Sequence, residues 1–120
     1  PHFKCSACPG CDSTSKCVHA AYKCYVFVEG DSLNEGWDRD RILDEVVKRG
    51  VPCFSGSCSE VYLEKAFDNT SYRPPERLPV AKELGETSLM FLVHPTLTEE
   101  EIKLTCSVLS EVMHLAAKQD

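Results

Sequence analysis

Residues 77–101, RLPVAKELGETSLMFLVHPTLTEEE, carry a helix, an apolar strand and the start of another helix, and their order governs how the rest of the chain is read. A short helix is expected over residues 80–84, stopped by Gly85. SLMFLV, residues 88–93, is a continuous apolar run ended by His94 and Pro95, the pattern of a buried strand. Thr98 followed three residues later by Glu101 is a capping box, and Leu97 with Ile102 forms the matching hydrophobic staple. Ile102, Cys106, Leu109, Met113 and Ala116 then predict the buried stripe of the last helix.

Upstream, DNTSYRPPE (68–76) is a loop with adjacent prolines, and residues 59–67 predict a short helix with Val61, Leu63, Ala66 and Phe67 for packing. Residues 51–54 predict a short strand. Before it, Asp38 caps a helix, Trp37 staples onto Ile42, and Ile42, Leu43, Val46 and Val47 share one face up to an exit at Gly50. Residues 19–28, HAAYKCYVFV, predict the first strand, and their nearly continuous apolar content implies cover on both faces. Three strands interleaved with four helices define an α+β domain. No glycine-rich loop of the dinucleotide-binding type is present.

The chain has 120 residues, enough for one modest core, with 42% hydrophobic and 27% charged residues, as in ordinary globular domains. A net charge of −6, with thirteen basic residues dispersed among acids as in Asp38-Arg39-Asp40-Arg41, argues against a nucleic-acid partner. No apolar run approaches the length of a membrane span, so no membrane partner is expected. The first residues, PHFKCSAC, have neither an initiator methionine nor a signal-peptide core, so the chain reads as a piece of a longer polypeptide.

Of eight cysteines, four crowd the first seventeen residues: Cys5, Cys8, Cys11 and Cys17. Residues 1–18 lack periodicity and read as an irregular Cys-rich segment, leaving residues 19–120 as the folded domain. Two-residue gaps let neighbouring thiolates turn onto one zinc ion, so these four are a candidate metal set, with free thiols and disulfide pairing as the other two states open to them. The spacing departs from the ferredoxin pattern in its five-residue last gap and in the Val18 that follows. A helix-built core has no need of disulfides in the body, which places the chain in a reducing, cytoplasmic setting.

GVPCFSGSCSEVYLEKAF, residues 50–67, is the second candidate site. Ser55, Gly56, Ser57, Ser59, Glu60 and Tyr62 offer hydroxyls, backbone amides and a carboxylate where an expected strand turns into an expected helix, whose first amides are unpaired. The same residues also suit a plain turn, with Ser57 or Ser59 as the cap and Glu60 paired to Lys65. His19 opens the first strand and reads as a surface or edge residue. His94 reads as a strand terminator. FSGSC is not a nucleophile elbow, and no hydrolase triad is recognisable.

Taken together, the serine loop, residues 77–101 and residues 19–28 resemble the C-terminal part of the DegT/DnrJ/EryC1/StrS aminotransferases, from about residue 19 to the end. The resemblance implies a small domain with a short, mainly antiparallel three-stranded sheet packed by helices, like the C-terminal domain of fold-type I PLP aminotransferases. It implies a function on nucleotide-linked keto sugars, in which this domain closes the active site. It places Ser55, Gly56, Ser57, Ser59, Glu60, Tyr62 and His19 toward the substrate and no catalytic residue on this chain. The implied cofactor is PLP, held mainly by a large N-terminal domain of the same polypeptide in a homodimer. Zinc at the N-terminal cysteines belongs to the alternative reading, a stand-alone binding module with a metal-tied arm.

Overall fold

A computed structural model describes residues 22–56 and 58–118. Cys5, Cys8, Cys11, Cys17, His19 and Ser57 therefore lie outside the described residues. Strands β1 (Lys23–Phe27), β2 (Cys53–Ser55) and β3 (Ser88–Leu92) form one sheet in the order β1-β3-β2, antiparallel at both pairings. Helices α1 (Arg39–Lys48) and α3 (Glu99–Ala116) pack on each other, and Ile42, Val46, Val108, Val112 and Ala116 join Leu89 and Phe91 of the central strand in the core. Helix α2 (Pro79–Thr87) belongs to the long excursion from the end of β2 to the start of β3. The α+β architecture with three antiparallel strands agrees with the sequence.

Local signals explain where α1 begins and ends. The Asp38 carboxylate accepts from the Arg41 N–H at 2.7 Å, and Gly50 takes φ +84° at the exit. Gly50 N–H donates to Val47 O and Val51 N–H to Val46 O, closing a Schellman motif that seats Val51 beside the buried Val46. In α3 the capping box forms in full, with Thr98 Oγ1 accepting from Glu101 N–H and Glu101 Oε2 accepting from Thr98 N–H. The other end of α3 is tied down by Asn34, whose Nδ2 donates to Leu115 O at 3.1 Å and Ala117 O at 3.0 Å. Thr98→Ala is expected to lower stability by about 1 kcal/mol, read as a lower urea midpoint at unchanged slope.

Four expectations need correction. The helix over 59–67 is two 3-10 turns, Val61–Leu63 and Lys65–Phe67, split by Glu64 at φ −63°, ψ 145°. Tertiary anchors on Glu60 and Tyr62, described below, override the helical pattern. Gly85 does not stop α2 but sits inside it, where a Cβ would lie 2.7 Å from Ser59 Oγ. In α3, burial begins only at Val108, so Ile102 and Cys106 are exposed and the deepest positions are Val108, Val112 and Ala116, four residues apart. β1 is not covered on both faces along its length: Val26 joins the core while Phe27 on the opposite face stays 58% exposed. Among the described residues, no helix is long and apolar enough to cross a membrane.

Candidate functional site

The serine loop is fastened at both ends. At its start, Ser55 pairs with Leu89 in the sheet, and Gly56 N–H donates to Ser88 O at 3.2 Å. The same carbonyl accepts from Arg39 Nη1 at 2.9 Å. Glycine is required here by space, because a Cβ on Gly56 would fall 2.0 Å from Ser88 Oγ and 2.7 Å from Ser88 Cβ. Arg39, the first residue of α1, is largely buried, with Nε 2.8 Å from Asp40 Oδ1. Sequence reading passed over it as one more charge in an alternating run. Nothing in that run marks it as the residue that turns inward.

At the other end, Glu60 Oε1 accepts from Arg77 Nε at 2.8 Å and from Tyr62 OH at 2.8 Å, while Arg77 Nη2 donates to Glu60 Oε2. Tyr62 OH in turn accepts from Leu78 N–H at 2.9 Å, at the residue that precedes α2. The cation facing Glu60 is therefore Arg77 and not Lys65, and the forked geometry makes this the strong kind of charge-assisted pair. The Arg77 guanidinium draws the Glu60 carboxyl from its ordinary 4.5 down to about 2, against the opposing effect of burial and with help from Tyr62. Burial, with the Glu60 carboxylate beside it, raises the Tyr62 phenol, and Glu60 raises Arg77.

Because the Glu60 carboxyl is depressed in the fold, its contribution to stability is complete above its unfolded value and is lost as pH falls through about 2. In Glu60→Gln, the fall in stability from pH 4.5 to about 2 is expected to be shallower than in the parent chain, measured by urea melts across that range. A parallel curve would mean that Arg77 does not hold the carboxylate in solution.

Of the expected site residues, the structure thus brings Glu60 and Tyr62 into one network with Arg77 and Leu78. Ser55 is exposed, and Gly56, Ser59 and Glu60 are half-buried. Glu60, at the cap position of the turn that follows, makes no side-chain capping hydrogen bond. His94 Nδ1 lies 2.7 Å from Thr96 Oγ1, as befits a residue that shapes the turn after β3. Among the described residues no group of three or more His, Cys, Asp and Glu is placed to hold a metal. Two clefts, of about 540 and 650 Å³, lie along the Phe27–Ser32 end of β1, and neither is lined by residues 55–62. Held at Gly56 by Ser88 O and at Glu60 by Arg77, the described residues of the serine loop form a ledge of polar groups.

Neither a protein-family model nor a curated protein matches the chain. Among solved structures, the aminotransferase from Psychrobacter cryohalolentis is similar over 81% of this chain, with 66% identity and a TM-score of 0.78. The match covers 25% of that protein, so this chain corresponds to about a quarter of its length. By fold and by sequence, this α+β unit matches a segment of an aminotransferase.

Proposed function

We propose that this chain is the small C-terminal domain of a PLP-dependent aminotransferase of the DegT/DnrJ/EryC1/StrS type, acting on nucleotide-linked keto sugars in the cytoplasm. The observation that carries the reading is the 66% identity to a solved aminotransferase over 81% of the chain. The ordered motifs of residues 50–101 favour the sugar-aminotransferase branch. Here the partner is a large N-terminal domain on the same polypeptide, with a second copy completing a homodimer, and neither nucleic acid nor membrane takes part.

The described residues do not fit PLP by themselves. Apart from half-buried Lys23, which lies over the Tyr22 ring, every described lysine is exposed, and Lys48, Lys82 and Lys103 pair with acids on their own helices. Among the described residues, neither cleft is lined by a lysine or an arginine. No chemical step is assigned to this chain. Its role is to close over the substrate, exclude water and present Ser55, Gly56, Ser57 and Ser59 as polar contacts, with His19 at the cofactor side. Glu60 and Tyr62 serve by positioning: they and Arg77 hold the ledge against α2.

Expression of the complete reading frame checks this division of labour. The full-length protein is expected to purify with about one PLP per subunit and the 120-residue chain with none. Stoichiometric PLP on the short chain would overturn it.

A further inference from the structure

Residues 58–87 leave the sheet after β2 and return to it at β3, yet none of them belongs to the core cluster or packs against it. Among them Tyr62 alone is buried, and it lies outside that cluster. What holds the stretch is internal. Glu60 to Arg77, Tyr62 to Leu78, and the close approach of Ser59 to Gly85 join its first part to its last. Among the described residues, its hydrogen bonds to the rest of the domain lie at the foot, where Val28 N–H donates to Thr87 O at 2.9 Å and Ser88 N–H to Leu84 O. Above the foot, the cleft of about 540 Å³ separates α2 from the body, with Glu83, Leu84 and Thr87 on one bank and residues 27–32 on the other. Phe27 and Leu84, one from each bank, both keep apolar surface exposed. A segment with no share in the core opens at a lower free energy than the core, and one tied end to end opens as a unit.

We propose that residues 58–87 are a lid that swings as one body across this cleft, latched internally by Glu60, Tyr62 and Arg77, and that the swing resets the polar ledge. The pivot is the contact of Gly56 with Ser88, too close to admit a Cβ, with Ser88 O pinned by Gly56 N–H and Arg39 Nη1. Ser55 and Gly56 therefore stay with the sheet, while Ser59 and Glu60 travel with the lid. The distance between the two halves of the ledge depends on where the lid stands, as in sites completed by hinge closure. The effect on substrate rests on the aminotransferase reading above; the motion itself does not.

Amide hydrogen exchange of the full-length polypeptide, read by peptide mass spectrometry, tests the motion. Peptides from residues 61–67 and 79–86 are expected to share one protection, at least about tenfold weaker than that of residues 89–91 and 108–112. Tyr62→Phe removes the hydroxyl that joins Glu60 to Leu78. It is expected to speed exchange in both lid peptides by the same factor, about tenfold, and to leave the core peptides unchanged. Arg77→Gln, at an exposed position, is expected to give the same pattern. An α2 as protected as β3 would overturn the proposal. So would a Tyr62→Phe effect confined to residues 61–67, or one that speeds the core equally. In the active enzyme, Tyr62→Phe is expected to raise KM for the keto sugar by a larger factor than it lowers kcat; an unchanged KM would overturn the link between lid and ledge. A full-length protein that aminates no nucleotide-linked keto sugar would remove the functional reading and that link together, and the exchange pattern would still decide the motion.

Discussion

Replacing Leu89 with alanine is expected to cost the fold about 2–5 kcal/mol, seen as a fall in the urea midpoint with little change in slope. Leu89 lies on the central strand, pairs with Val26 on one side and Ser55 on the other, and is 1% exposed. Removing its side chain takes packing from the core cluster it shares with Ile42, Val46, Val108 and Val112 and leaves a void in the middle of the sheet. Ile102→Ala, by contrast, is expected to stay within about 0.5 kcal/mol, because Ile102 is half exposed on the part of α3 that projects away from the core. Equal costs at the two positions would mean that the helix is rotated from the arrangement described.

Gly56→Ala is expected to destabilise by about 1–3 kcal/mol, an overpacking cost. The new methyl would sit inside the contact distance of both Ser88 Oγ and Ser88 Cβ, and Ser88 is 5% exposed with its carbonyl held by Arg39 and by Gly56 itself. Relief would have to come from the loop, which would swing Ser55 and its neighbours off the ledge. Adding Ser88→Gly removes the obstructing atoms, so the double variant is expected to recover part of the loss, and a double-mutant cycle isolates that coupling. Purely additive costs would place the penalty elsewhere. Gly85→Ala meets only the tip of Ser59, which can rotate away, and is the milder change.

Much of the fold was legible because its signals are local. The Thr98–Glu101 box, the Asp38 cap and the Gly50 exit each depend on residues within one turn, and each forms as its sequence implies. What sequence reading missed depends on distant partners. The pattern of Val61, Leu63, Ala66 and Phe67 suits a helix, yet Tyr62 is committed to Leu78 sixteen residues on and Glu60 to Arg77, so the chain turns twice in 3-10 form. Gly85 looked like a stop because its neighbour Ser59 cannot be seen along the sequence. Of the candidate site, the serine loop was legible from composition, but Arg39 and Arg77, which fasten its two ends, were not. Their charge is commonplace in sequence, and only the fold turns them toward Ser88 O and Glu60.

The proposed role of this domain as the closing part of a sugar aminotransferase is tested most directly by offering nucleotide-linked keto sugars and an amino donor to the full-length polypeptide and weighing the sugar product by mass spectrometry. Amino sugar is expected from the full-length protein and none from the 120-residue chain. A folded, PLP-loaded full-length protein that aminates no nucleotide-linked keto sugar, or a short chain that aminates one alone, would contradict it.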